Sequence, residues 1–428
     1  MLQAALERTI NGVIVEGDLK ISWPNGKITR HGNGRGLAAH LVISDAGLIP
    51  RMLRNPELTL GEGYMEGGLR IEDDDLHSFL RLVARNARKF GAGRFSAAAA
   101  GARTALRRIA QHNPIHIAKR NVEVHYDLST DLYELFLDPA MQYTCGYYKK
   151  PGMSLAEAQQ AKMRHIGEKL MIEPDMRVMD IGCGWGGLSI ALARDFGARV
   201  TGVSLSKVQL AYAREKAEAA GVADRIDFRL VDYRDVDELF DRIVVVGMME
   251  HVGQPQYAQF IQQLEKNLSP NGISLVHTIG RTTPPGQTSP FINKYIFPGG
   301  YAPAMSEVMA EVEKTSLMPM DIEVWRTHYA QTLIHWQEKF EANVDAVRAL
   351  YDDKFVRMWR YYLVASEMSF SELGLVIFQF QMAHQEAAVP VTREYLYGGS
   401  TAGNRPQLVD DGGLEPAVAA QLLERVGT

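Results

Sequence analysis

Val178-Met-Asp-Ile-Gly-Cys-Gly-Trp-Gly-Gly187 decides how this chain of 428 residues is read. A short apolar run closes on an acid, Asp180, and Gly182, Gly184 and Gly186 follow. Behind them, Leu188-Ser-Ile-Ala-Leu-Ala-Arg-Asp-Phe196 carries apolar residues at helical spacing. The order is strand, tight turn, helix. Such a turn brings the free N–H groups of a helix start beside a backbone that has no Cβ to keep a ligand away. The stretch predicts a nucleotide-type binding turn.

Working outward, strand-like runs at 177–181, 199–204, 226–231, 242–248, 272–279, 320–326 and 375–381 alternate with helix-like runs at 154–171, 187–196, 207–220, 255–268 and 330–350. This alternation predicts an α/β fold with a doubly wound, mostly parallel, seven-stranded Rossmann-like sheet. Its ligand crevice belongs at the carboxyl ends of the strands, near the first turn. Residues 116–400 are therefore expected to form the catalytic domain. Residues 1–90 read as a smaller α/β domain for docking: 13–27 has the pattern of strands and an Asn-Gly turn, 37–44 continues it, 58–68 reads as turn-rich, and 76–84 as a helix. Residues 91–115 are rich in Gly, Ala and Arg and read as a linker, and 401–428 as a tail.

The composition is that of an ordinary globular protein. Two cysteines, Cys145 and Cys183, exclude a disulfide scaffold and fit a reducing cytoplasm. No signal peptide or spanning helix is expected, so any membrane contact is peripheral. A net charge of −5 argues against a nucleic-acid binder. Charge is unevenly placed, however. Between Leu76 and Val122 there is no Asp or Glu, while Arg81, Arg85, Arg88, Lys89, Arg94, Arg103, Arg107, Arg108, Lys119 and Arg120 all fall there. That cluster suits an anionic membrane surface at about 1 kcal/mol per basic residue; as a solvated linker face it would be unremarked.

A dinucleotide site would need an acid at the end of the second strand to hold ribose hydroxyls. Here that strand ends Gly202-Val-Ser-Leu-Ser-Lys-Val-Gln209. Gln209 offers an amide for the ribose instead. With the acid before the glycines, the turn resembles motif I of S-adenosylmethionine-dependent methyltransferases, although the missing strand-two acid departs from their common pattern too. Further stretches follow in order: His125-Tyr-Asp-Leu-Ser-Thr-Asp-Leu-Tyr133, Tyr143-Thr-Cys-Gly-Tyr-Tyr148, Gly247-Met-Met-Glu-His-Val-Gly253, Leu275-Val-His-Thr-Ile-Gly280 and Phe297-Pro-Gly-Gly-Tyr301. With the glycine turn, they resemble the cyclopropane-fatty-acyl-phospholipid synthases and the related mycolic acid cyclopropane synthases over about 120–395. Residues 1–90 resemble the extra domain of the phospholipid enzymes.

The resemblance implies a methyltransferase-type sheet, S-adenosylmethionine as methyl donor and bound bicarbonate as base. The acceptor it implies is a phospholipid with unsaturated acyl chains. A homodimer, cytoplasmic and peripheral at the inner membrane face, with no metal, is also implied. The cofactor set carries over to Tyr143, Thr144, Asp180, Gly182, Gly184, Gly186, Ser204, Leu205, Gln209, Asp232 and Tyr233, with Tyr233 flanking the adenine. The bicarbonate ligands would be Cys145, Glu250, His277, Ile279 and Tyr329. Tyr143, Tyr147, Tyr148, Trp185 and Tyr301 are aromatic candidates for cation–π stabilisation. His165 and His251 are expected to be structural. Many relatives carry a cysteine after Arg-Met-Trp-Arg-Tyr-Tyr-Leu; here Arg357–Leu363 runs into Val-Ala-Ser366, so a cysteine nucleophile is excluded there. Arg357 and Arg360 would face phosphate or pair with acids. The rival activity is a C-methyltransferase on the same lipid alkenes, giving a methyl-branched or methylated unsaturated chain. A non-catalytic lipid-binding scaffold is a third expectation, against which Cys145, Glu250 and His277 speak.

Overall fold

The computed structural model describes residues 1–90 and 128–397. The expected linker 91–115, the basic residues from Arg94 to Arg120, the start of the His125 motif and the tail 401–428 lie outside them.

The larger sheet has seven strands: β5 (Arg177–Ile181), β6 (Arg199–Ser204), β7 (Ile226–Leu230), β8 (Phe240–Val246), β9 (Leu268–Arg281), β10 (Met318–Trp325) and β11 (Leu375–Ala383). Their order is β10-β11-β9-β8-β5-β6-β7. β5 pairs in parallel with both β6 and β8, and β8 in parallel with β9, whereas β11 runs antiparallel between β9 and β10. The order changes direction at β5, so the crevice opens beyond the ends of β5 and β8. The central strands are buried on both faces, as a covered parallel sheet requires.

The turn after β5 follows from sterics. Gly186 caps α7 (Gly187–Phe196) at φ 82°, and a Cβ there would lie 2.7 Å from the Ala213 Cβ. Only glycine serves at such a position. Other helices start on side-chain caps. Ser154 and Glu157 form a capping box on α6 (Leu155–Lys169), and Ser206 caps α8 (Lys207–Ala219).

The smaller N-terminal sheet has the order β2-β1-β3-β4, from β1 (Gly17–Ser22), β2 (Ile28–Arg35), β3 (Ala38–Ile43) and β4 (Leu69–Ile71). The Asn25-Gly26 turn joins β1 to β2, which starts just past the stretch read as strands. Around it lie α1 (Leu2–Val13), α2 (Leu48–Arg54), α3 (Pro56–Glu66) and α4 (Leu76–Phe90).

Two expectations need correction. The stretch 58–68, read as turns, is mostly α3, capped by Asn55 and Pro56 at one end and closed by left-handed Gly67 at the other. Its glycines serve packing: a Cβ on Gly61 would meet the Phe291 ring at 2.2 Å. The single helix expected over 330–350 is two, α12 (His328–Ala342) and α13 (Val344–Leu350). They are broken at Asn343, whose amide donates to the Leu135 and Lys339 carbonyls.

Phe291 lies on α10 (Pro290–Tyr295) and belongs to a core shared with the N-terminal sheet. Tyr361, Val364 and Met368 on α14 (Asp353–Ser371) join the same core. Polar contacts rim it. Glu62 accepts from Lys294 and Tyr295, Arg357 donates to the Met65 carbonyl, and Arg360 pairs with Glu341 and Asp74. Arg360 thus takes the acid-pairing role, and Arg357 closes the end of α3. Gly61→Ala is expected to overpack this seam and destabilise the protein by about 1–3 kcal/mol, read as a lowered urea midpoint.

Candidate active site

Two cavities meet beyond the ends of β5, β8 and β9. The first, a cleft on the glycine turn, is lined by Tyr143, Thr144, Asp180, Gly182, Gly184, Ser204, Leu205, Gln209, Asp232 and Tyr233. That is the whole expected cofactor set apart from Gly186, which stands behind the cleft as the helix cap. The first turn of α7 presents backbone N–H groups there. Asp180 is buried and accepts from the Ser189 hydroxyl at 2.6 Å. Burial pushes its carboxyl up to about 6. The Ser204 hydroxyl donates to Gln209 Oε1 at 3.4 Å. The Asp232 carboxylate is already held by Arg234 through two bonds of 2.8 and 2.7 Å.

The second cavity, of about 730 Å³, brings together Cys145, Glu250, His277, Ile279 and Tyr329. Four residues line both spaces: Tyr143, Thr144, Gly247 and His251. They form the window between them. Glu250 sits in the turn after β8, and Oε1 accepts from the Ile279 amide at 2.6 Å. The Ile279 N–H is therefore spent on positioning Glu250. Its other oxygen, Oε2, is buried with no partner, and burial pushes the carboxyl up to about 7. His277 is fully enclosed. Gln379 Nε2 approaches its Nδ1 at 3.2 Å, which as the amide is oriented leaves the proton on Nε2. Nε2 is also buried and unpartnered. Burial holds the imidazole neutral, well below its ordinary pKa. Burial also pushes the Cys145 thiol far up, so it stays protonated. Ser366 lines this cavity where a cysteine was noted to be missing.

The wall has a further source. Leu80, Val83, Ala84 and Ala87 of α4 and Leu60 of α3 line the second cavity. The N-terminal domain thus contributes to the site, which no local motif announces. His251, expected to be structural, faces both cavities, and burial draws it down to about 4; its place beside Glu250 was the available signal. Of the aromatic candidates, Tyr143 and Trp185 line the cleft and Tyr301 the larger cavity. Tyr147 and Tyr148 lie outside both. Tyr147 stacks against both His165 and Trp325, at 4.5 and 4.6 Å, and the Tyr148 hydroxyl bonds His335 at 2.9 Å. His165 is structural, paired with Glu323.

A parallel sheet with one antiparallel strand next to its edge, and a cleft on an acid–glycine turn, define the class of S-adenosylmethionine-dependent methyltransferases. Residues 115–380 match the mycolic acid cyclopropane synthetase family, and residues 9–93 match a domain of unknown function. The chain belongs to the cyclopropane synthetase family. It is 37% identical over 346 residues to the cyclopropane-fatty-acyl-phospholipid synthase of Escherichia coli K12, covering 80% of this chain and 87% of that one. A probable fatty acid methyltransferase of Pseudomonas putida is 38% identical over 288 residues, 64% of this chain and 73% of the relative. The mycolic acid cyclopropane synthase CmaA1, solved with SAH and CTAB, superposes with a TM-score of 0.59 at 30% identity, covering 64% of this chain and 99% of that one.

A carboxyl raised by burial makes folding weaker as pH rises from the unfolded pKa of 4.5 towards 7, because only the unfolded chain ionises readily there. Glu250→Gln removes that loss. Its stability relative to the parent is expected to improve by roughly 2–3 kcal/mol between pH 5 and pH 8, measured by urea unfolding at each pH.

Proposed function

We propose that this enzyme moves the methyl of S-adenosylmethionine to a cis double bond of an unsaturated phospholipid acyl chain and closes a cyclopropane ring. The observation that carries the reading is the pair of orphaned atoms, Glu250 Oε2 and His277 Nε2, in one cavity beside the cofactor cleft. A donor and a carboxyl near neutrality fit a small oxyanion that is itself both donor and acceptor. Bicarbonate meets that description, and when bound it supplies a base small enough for a lipid slot. S-adenosylmethionine supplies an electrophilic methyl group.

The chain's own residues do the rest. Asp180, Gln209 and Tyr233 are offered to the cofactor's polar groups and adenine. Tyr143 and Trp185 line the cleft and are the aromatic candidates for cation–π stabilisation of the sulfonium, at about 0.5–2 kcal/mol each. The alkene is a weak nucleophile, so holding it dry at the Tyr143–Thr144–Gly247–His251 window is the main task. The alkene's π pair makes the new C–C bond as the methyl–sulfur bond breaks and the neutral thioether, S-adenosylhomocysteine, leaves, so the positive charge passes to the other alkene carbon. Loss of one proton from the added methyl then supplies the electron pair that closes the ring. Glu250 and His277 hold the base for that proton, with Cys145 and Tyr329 completing its pocket. The Cys145 thiol, held protonated, has no nucleophilic part.

The N-terminal wall favours phospholipid over mycolic acid, since CmaA1 matches 64% of this chain while spanning nearly its own whole length. The resemblance also supports a homodimer at the inner membrane face. Among the described basic residues of α4, Arg81 and Arg85 pair with Glu372 and Lys89 with Glu16. Attraction to an anionic leaflet therefore falls to Arg88 and to the Arg94–Arg120 cluster. The likeness to the Pseudomonas fatty acid methyltransferase favours one rival, in which the proton leaves a neighbouring carbon and a methylated alkene remains.

Full-length protein with S-adenosylmethionine and vesicles of cis-unsaturated phospholipid should yield upfield ring-methylene protons in the NMR spectrum of the extracted lipid. Methyl uptake without those signals would establish the rival. Glu250→Gln is expected to lower turnover by at least a hundredfold while calorimetric SAH affinity stays within threefold; near-normal turnover would end the anion-site reading. Ala84→Trp should lower turnover at least tenfold by filling the acyl cavity, again with SAH affinity retained.

A further inference from the structure

Helix α6 buries two lysines completely, Lys162 and Lys169, two turns apart on one face. Lys169 is neutralised in the ordinary way, by Glu323 at 3.1 Å and Asp321 at 3.7 Å. Lys162 is not. Its Nζ donates to Gln142 Oε1 at 2.5 Å and to Thr144 Oγ1 at 2.7 Å, both neutral. Among the described residues no carboxylate comes within ion-pair distance of it. The nearby acids are engaged elsewhere: Asp138 accepts from the Ala140 and Gln142 amides, and Asp180 from Ser189. Burial draws the ammonium down to about 8, and Asp138 and Asp180 support its charge only from longer range. A buried ammonium with no contact ion pair is disfavoured, and such a group persists where function holds it.

Its place explains what the missing charge is. Thr144, which takes one of its bonds, belongs to the window between the cavities, and Cys145 is the next residue. The same helix braces this segment again, with Gln159 Nε2 donating to the Thr144 carbonyl at 2.7 Å. The positive charge is felt inside the larger cavity, where it opposes the burial that raises the Cys145 thiol and adds to the burial that lowers His277.

We propose that Lys162 is a positioning residue whose buried ammonium supplies the countercharge for the anion held by Glu250 and His277, while fixing Thr144 at the window. The inference rests on the anion-site reading above. It adds a long-range charge from behind the wall to a cavity whose one lining cation among the described residues, Arg281, is turned to the Ala302 and Gln287 carbonyls.

The test uses full-length protein saturated with SAH at fixed pH and ionic strength. Sodium bicarbonate is titrated against chloride, and the midpoint of its thermal stabilisation is read. In Lys162→Met, and in Lys162→Gln, which keeps a donor but not the charge, that midpoint should rise at least tenfold. Calorimetric SAH affinity should stay within threefold. If the methionine variant does not fold, the glutamine variant decides. A glutamine variant with the wild-type midpoint overturns the countercharge role, as does an equal loss of SAH and bicarbonate affinity, which would mark a structural residue. A wild-type protein that bicarbonate does not stabilise overturns the anion-site reading itself, and this inference with it.

Discussion

The hydrogen bond from the Ile279 amide to Glu250 Oε1 ties the turn after β8 to the end of β9. Its neighbours reinforce it: Gly247 N–H donates to the His277 carbonyl, and Tyr301 N–H to the Glu250 carbonyl. Two of these bonds cross the place where β8 and β9 stop pairing, and the third ties the turn to the segment at Tyr301. Everything chemical depends on that crossing. It sets Glu250 and His277 in one cavity, leaves one buried polar atom of each without a partner, and places Gly247 at the window. A hydrogen bond in a dry site is worth more than one in water, which is why so short a turn can be a rigid platform.

Burial tunes the groups on that platform in one direction, towards neutrality. The thiol of Cys145 keeps its proton, His251 and His277 stay unprotonated, and the Glu250 carboxyl titrates near 7. Neutral groups at the anion site tolerate a neighbouring acyl chain far better than charged ones would. Lys162, shielded behind Thr144, is placed where its charge reaches the site without touching the lipid.

The features legible in sequence were those with local causes. Asp180 and its glycines announce a turn because a positive φ and a close approach admit almost nothing else, and the seven strands follow from apolar runs at regular spacing. The cavity residues were found through ordered motifs rather than through any local physics, since a buried Cys, Glu or His looks alike in a core or a site. What escaped depends on contacts distant in sequence. Gly61 and Gly63 read as a turn because their reason for being glycine, the approach of Phe291 and Leu48, lies elsewhere in the chain. Asn343 breaks a helix by bonding Leu135, some two hundred positions earlier. The α4 residues Leu80, Val83 and Ala84 read as an ordinary amphipathic stripe, and only the fold shows that part of the stripe faces a cavity. Lys162 carries no signature, because its meaning is the absence of an acid beside it.

The joint between the N-terminal domain and α14 has an evolutionary consequence. One helix, α4, both stabilises the domain contact and shapes the bore of the cavity. A substitution that widens or narrows the bore therefore also perturbs the packing that holds the two parts of the chain together. Selection for a new chain length cannot act on one property alone. Drift in lipid preference should proceed through paired changes on α4 and α14, and a lineage that discards the N-terminal domain must rebuild one side of its cavity from other material.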